Sequence, residues 1–209
     1  MSEKIDLKKT LKIFYQPTTQ TPSIVEVPPF NFLMIDGFGD PNTSELYQGA
    51  VTTLFQFSYT LKFTVKKDQG INYSVMPLEG LWWMTGVFDA ENKDSWQWTA
   101  MIAQPEFISN ELVENARRQV KIKKAPPLID QVRFENFHEG LSVQIMHIGP
   151  FSDEKTNIER IHSYALNNGY ELAGKHHEIY LSDLSRISPE KMKTILRQPI
   201  RKILSNKFD

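Results

Sequence analysis

The sequence contains no cysteine, which removes a disulfide framework, a thiol nucleophile and a thiolate-bound metal from the chemistries open to this chain. Neither sign of charge is in excess, since 24 basic residues face 25 acidic ones for a net charge of -1. Such a balance leaves no whole-molecule field to hold a polyanion or an anionic membrane, and it disfavours direct nucleic-acid binding. No apolar run approaches the roughly 20 residues of a membrane span. Met1–Asp6 also lacks the apolar core of a secretory signal, so the cytoplasm is the expected location. Histidines 138, 147, 162, 176 and 177 do not show metal-ligand spacing. Gly37-Phe38-Gly39 lacks the third glycine and the Lys-Ser/Thr of nucleotide-binding loops. No serine stands in a nucleophile elbow. Neither metal nor cofactor is expected.

What is present is ordinary globular material, with 40% hydrophobic and 23% charged residues, arranged with a faint internal duplication. Phe32–Ile35 runs through Gly37-Phe38-Gly39-Asp40-Pro41 into a helical pattern, and Leu141–Ile145 runs through Ile148-Gly149-Pro150-Phe151 into another. Each copy reads as strand, glycine turn, helix. Two related half-domains of this kind usually bury apolar faces on each other and leave a cleft. The pattern predicts an α+β fold: two tandem strand-helix-strand-strand modules, related by a pseudo-two-fold duplication, with antiparallel sheets around a central ligand groove. Residues 1–29 form an N-terminal arm and 30–209 the ligand-binding domain, with module one at about 30–125 and module two at about 126–209. Within this frame, Leu7, Leu11 and Phe14 among lysines make a short amphipathic docking segment, followed by a proline-marked stretch from Pro17 to Pro29. Helices are expected near 43–60, 105–124 and 153–168, the last stopping at Asn168-Gly169. Strands are expected around 71–77, 80–90, 95–103, 132–134 and 141–145, with a hairpin turn at Glu139-Gly140. Ser188-Pro189-Glu190 reads as the opening of a final helix that carries Met192, Ile195 and Leu196 inward as far as Pro199.

Chemistry concentrates in His176-His177-Glu178-Ile179-Tyr180-Leu181-Ser182-Asp183. Period-two alternation puts Glu178 and Tyr180 on one face, with Ile179 and Leu181 turned to the core on the other. A carboxylate in a closed site beside a phenol can bind a cation, hydrogen-bond a ligand or activate water. The same pattern also describes a solvent-exposed strand glutamate. Trp82, Trp83, Trp96 and Trp98 lie close together in sequence. They supply either walls for a planar aromatic or cationic small molecule or ordinary core packing. Phe55, Tyr164 and Glu79 complete the candidate ligand-binding set.

The stretch Glu178–Asp183, followed by Pro189–Pro199, resembles the GyrI-like small-molecule-binding family, and the likeness extends over Gly80-Leu81-Trp82-Trp83 and the duplicated units. The resemblance implies an aromatic groove with a buried glutamate in the second module, at the place of Glu178. Drug-sensing relatives add a DNA-binding winged helix, for which the roughly 30 residues before the first module leave no room, so a stand-alone protein is expected. Its stand-alone relatives include gyrase-inhibitory proteins and cyclopropanoid hydrolases, which detoxify DNA-alkylating natural products of the yatakemycin type and so confer drug resistance. In the second case Glu178 would activate water while Tyr180 or another groove hydroxyl hydrogen-bonds the carbonyl that gains charge. Leu184-Ser185-Arg186 departs from the proline that many relatives place after the aspartate. Three readings follow: a detoxifying hydrolase, a non-catalytic small-molecule-binding or sequestering protein, and a topoisomerase inhibitor.

Overall fold

In the computed structural model, which describes residues 4–86, 92–183 and 186–203, the chain divides into two discontinuous compact units. One is Met1–Leu11 with Pro29–His138, the other Lys12–Pro28 with Glu139–Asp209. The elements run α1 (Leu7–Thr10), α2 (Lys12–Tyr15), β1 (Ser23–Val27), β2 (Phe30–Phe38), α3 (Glu45–Gln69), β3 (Leu78–Trp83), β4 (Gln97–Gln104), α4 (Asn110–Lys123), β5 (Arg133–Phe137), β6 (Gly140–Ile148), α5 (Lys155–Asn167), β7 (Tyr170–Leu172), β8 (His176–Tyr180) and β9 (Lys193–Lys202). The class is α+β, and every ladder within a unit is antiparallel.

The first unit orders its strands β3-β4-β2-β5 and lays α3 across one face. Ser44 caps α3 by accepting from the Tyr47 amide, and Gly70 closes it in the left-handed region at φ 70°. The helix is therefore longer than the stretch to residue 60 expected from periodicity. Ala50, Leu54, Phe57 and Leu61 form its buried stripe. Helix α4 packs on α3, with the Arg117 guanidinium 5.3 Å from the centre of the Phe57 ring.

The second unit orders its strands β1-β6-β9-β8, with β7 pairing the far end of β9. Helix α5 packs Ile161 and Ala165 onto Val143, Ile145, Leu196 and Ile200. Gly169, at φ +82°, follows its C-terminus as the Asn168-Gly169 signal predicts. Each unit thus contains a strand, a glycine turn, a helix and two further strands, and the spatial orders β3-β4-β2 and β8-β9-β6 match. This arrangement is compatible with a duplication.

Several local expectations are overturned. The final helix is instead a single 3-10 turn at Pro189–Lys191 followed by the ten-residue strand β9. Strand β9 pairs on both edges and buries Thr194 through Gln198 without a break. Its buried positions are therefore consecutive and carry no period of two, which leaves Ile195, Leu196 and Ile200 at spacings that a helical template also accepts. The hairpin at Glu139-Gly140 does not form: β5 pairs with β2 and β6 with β1 and β9. The N-terminal segment is broken into α1 and α2, and the proline-marked stretch contains β1. Of residues 71–77 only Tyr73 makes a bridge, to Ile5. The strand expected to reach residue 90 ends at Trp83. Residues 87–91, and Leu184 and Ser185 in the loop that departs from the family pattern, lie outside the described residues.

Candidate functional site

Strand β8 alternates as its sequence predicts. Its register sets Glu178 opposite Leu196 and Tyr180 opposite Thr194, while His177 and Ile179 sit opposite Arg197 and Ile195. Leu196 belongs to the cluster under α5, so Glu178 and Tyr180 lie on the face that the helix covers. The expectation that only the face of Ile179 and Leu181 meets the core is corrected, because both faces are filled. Ile179 is fully buried on its side and Leu181 is half-buried just beyond the strand. The Glu178 side chain keeps 17% of its surface exposed, a value that rules out the freely solvated strand glutamate.

The Tyr180 hydroxyl donates to Glu178 Oε2 at 2.7 Å. The ring of Phe151 stands edge-on to that of Tyr180 at 5.7 Å between centroids. His176 Nε2 lies 3.4 Å from Glu178 Oε1, at ion-pair distance but not aligned for a hydrogen bond. One residue here was missed by sequence reasoning. Glu154 is only 4% exposed, hydrogen-bonds the Thr194 hydroxyl and faces the charge of Glu178. Its Oε1 has no hydrogen-bond partner, and although it occupies the N-cap of α5 its side chain makes no cap bond. Burial, reinforced by the Glu178 charge, pushes its carboxyl up to about 9. A helix N-terminus favours an anion by about 1 kcal/mol, well short of the several kcal/mol that an unpaired buried ion costs. The neutral acid therefore wins at pH 7. The available signal was position, since Glu154 follows the Gly149-Pro150-Phe151 turn and so starts the helix that covers β8.

The other face of the same strands carries a buried ionic network. Glu139 receives hydrogen bonds at 2.9 Å from both His177 Nδ1 and Arg197 Nη1. Arg197 also donates to Gln144 Oε1 and to the Phe14 carbonyl, and Gln144 donates to the Ile13 carbonyl. Burial alone would raise Glu139, but the His177 and Arg197 charges and their hydrogen bonds overcome it and hold its carboxyl down to about 2. This network fastens α2 to β6 and β9 within the second unit. The signal in the sequence was an arginine directly after the apolar pair Ile195-Leu196.

The remaining candidates fall elsewhere. In the first unit Trp82 and Trp98 sit opposite each other in the β3-β4 ladder, on the α3 face. Tyr47 lies 5.6 and 5.0 Å from their respective rings. Trp98 is fully buried and Trp82 is 4% exposed. Trp96 meets Trp82 edge-on at 5.8 Å and has Lys93 over its own ring. Trp83 is half-buried on the opposite face of β3, where its indole donates to Gln97. Glu79 is buried on that same face. Phe55 begins a stacked ladder with Tyr59 and Phe63 along α3. Tyr164 lines an open depression of about 390 Å³ on α5, together with Pro22, Thr156, Arg160 and Asn167. Among the described residues no group of three or more acidic or imidazole side chains could hold a metal ion, and no helix is long and apolar enough to cross a membrane.

A chain from Listeria innocua described as an uncharacterized conserved protein is 42% identical, with a TM-score of 0.90 over 95% of this chain and 100% of its own. A second Listeria innocua chain, described as a hydrolase, is 40% identical with a TM-score of 0.84 and the same coverage. The EcmrR C-terminal domain, 12% identical with a TM-score of 0.55 over 88% of this chain and 98% of its own, shares the fold alone. No curated protein matches. Residues 20–199 match the GyrI-like small molecule binding domain, and with that span, nearly the whole described fold, the chain belongs to the GyrI-like family.

Proposed function

We propose that this GyrI-like protein binds planar aromatic small molecules and detoxifies cyclopropanoid DNA-alkylating natural products by opening their strained ring with water. The observation that carries the reading is the 2.7 Å hydrogen bond from Tyr180 to Glu178 in a half-buried site. It is supported by 40% identity to a protein described as a hydrolase. In the reaction, water oxygen bonds to the ring methylene as the cyclopropane carbon–carbon bond breaks. The released electron pair moves through the conjugated system to the carbonyl oxygen. Tyr180 gives that oxygen its proton, Glu178 takes the proton lost by the attacking water, and Tyr180 is reprotonated by Glu178 along the bond that already joins them. Atoms and charge balance as the addition of one water. The half-buried Trp83 and Trp96 are the tryptophans with surface left for stacking a flat ligand.

A non-catalytic binding or sequestering protein is the second reading. Its favouring observation is that Tyr180 already occupies one oxygen of Glu178, leaving a pair that can receive a ligand without reacting. Incubation with a yatakemycin-type cyclopropane compound, followed by chromatography and mass spectrometry, separates the two. Gain of one water with wild type and none with Glu178→Gln supports the hydrolase. Unchanged compound that quenches tryptophan fluorescence supports the binder.

A further inference from the structure

Helix α3 carries two apolar rows where its place in the first unit needs one. On a helix of 3.6 residues per turn, Ala50, Leu54, Phe57 and Leu61 converge on the side buried against β2 and β4, and Tyr59 falls diametrically opposite them. Tyr59 is the middle of a row spaced four residues apart, Phe55-Tyr59-Phe63. Its rings stack at 6.5 and 6.4 Å between centroids, with interplanar angles of 30° and 25°. Tyr59 is 44% and Phe63 58% exposed. Helix α4 does not cover them, since it meets α3 through Phe57 and Thr64 on the buried flank. A contiguous aromatic row on the wet side of a helix is the kind of patch that marks a protein–protein contact.

We propose that this row is a self-association surface: a second copy of the chain packs its own α3 against it, antiparallel, with the two-fold axis passing beside Tyr59. Two features of the helix select that occupant. The row is symmetric about Tyr59, so reversing one copy sets Phe55 of each against Phe63 of the other, as an isologous contact requires. The charges, by contrast, are one-sided. Lys62, Lys66 and Lys67 all follow Tyr59, and before it α3 carries a single charged residue, Glu45. An antiparallel copy therefore offers those lysines its uncharged N-terminal half, including Thr52, Phe55 and Gln56, and sets the two helix dipoles head to tail. A parallel copy would set Lys62 on Lys62 and Lys66 on Lys66, where like charges oppose contact. Lys62 is already crowded, since burial and then the Lys4 and Lys66 charges hold its ammonium below the ordinary lysine range. Its Nζ lies 6.0 and 5.5 Å from the centres of the Tyr59 and Phe63 rings, and the antiparallel pair brings Phe55 of the second copy to the same cation. Rows four apart on two helices interdigitate at a crossing of about −50°. One such crossing is small beside the roughly 1,200 Å² at which stable interfaces begin, so the dimer is weak and forms on concentration.

The test uses the full chain, whose lack of cysteine makes any introduced thiol unique. In sedimentation equilibrium the wild-type average mass should rise from one chain toward two between roughly 5 and 500 μM. The double variant Tyr59→Ser, Phe63→Ser should associate at least about 10-fold more weakly and keep its cooperative thermal transition, because both rings are exposed. Under mild oxidation Tyr59→Cys should form an intermolecular disulfide. Lys66→Cys should not, because antiparallel pairing holds the two copies of position 66 about 20 Å apart along the helices. Wild type that stays monomeric over the whole range overturns the proposal and leaves the row to a different protein. A dimer that survives loss of both rings overturns it as well, since the interface then lies elsewhere. So does a disulfide in Lys66→Cys, which no antiparallel pair can make. The disulfide is read in a chain that keeps Phe55 and Phe63, so it decides the matter even if the double variant does not fold.

Discussion

Glu154 and Glu139 are both buried glutamates, and they make opposite contributions to stability as pH changes. The Glu154 carboxyl is raised from its ordinary 4.5 to about 9 in the fold. Its contribution is therefore complete below 4.5 and drains away as pH rises toward 9, because only the unfolded chain ionises freely there. Glu154→Gln should accordingly gain on wild type between pH 5 and pH 8.5, with Tm differences of about 2–4 °C for each kcal/mol in a chain of this size. Scanning calorimetry at the two pH values checks it. Glu139 is lowered from 4.5 to about 2, so its contribution is present above 4.5 and is lost as pH falls through 2. Glu139→Gln leaves Arg197 buried without its counter-charge, at a cost of about 3–5 kcal/mol. Urea unfolding should show that cost at pH 7 and a smaller one at pH 3. In the proposed reaction Tyr180→Phe should retain ligand binding and lower turnover about 10²-fold, because a single directed donor is removed. That Glu178 and Tyr180 share one face was legible because a strand's alternation is written in adjacent letters. Glu154 was not, because a glutamate after a Pro-Phe turn has the same local sequence whether its carboxyl is solvated or folded beneath a helix.

At the scale of elements, helix α3 was anticipated by its periodicity, whereas β9 was misassigned as a helix. The difference is physical. Helix α3 has one wet side, so its pattern carries a period. Strand β9 has none over Thr194–Gln198, and Pro189-Glu190 opens a 3-10 turn as readily as an α-helix. The sheet of the first unit depends on close approach as well as pattern. The Trp98 ring lies directly over Gly37, so a methyl group there would enter the ring's own space. Gly37→Ala is expected to destabilise by about 1–3 kcal/mol through overpacking. It should also perturb the near-ultraviolet dichroism of a tryptophan that is fully buried. The conservative expectation for α3 is smaller: Ser44→Ala removes the acceptor of the Tyr47 amide and should cost about 1 kcal/mol by thermal unfolding.

Across the whole molecule, the α+β class and the repeated strand-turn-helix were legible because each repeat is local. The assignment of edge strands was not. Strand β1, just before the first repeat, pairs with β6 of the second unit, and β5, just before the second repeat, pairs with β2 of the first. No short-range signal specifies an exchange between segments more than a hundred residues apart, and Glu139-Gly140 therefore looked like a hairpin. Arg197 and Gln144 depend on the same exchange, since both reach carbonyls of residues 13 and 14. A chain cut after His138 would leave residues 139–209 without the strand and the carbonyls that complete them, while residues 1–138 would carry both as a surplus. The two fragments would then be donor and acceptor of one missing strand, and the protein could be reassembled from separately expressed pieces by complementation.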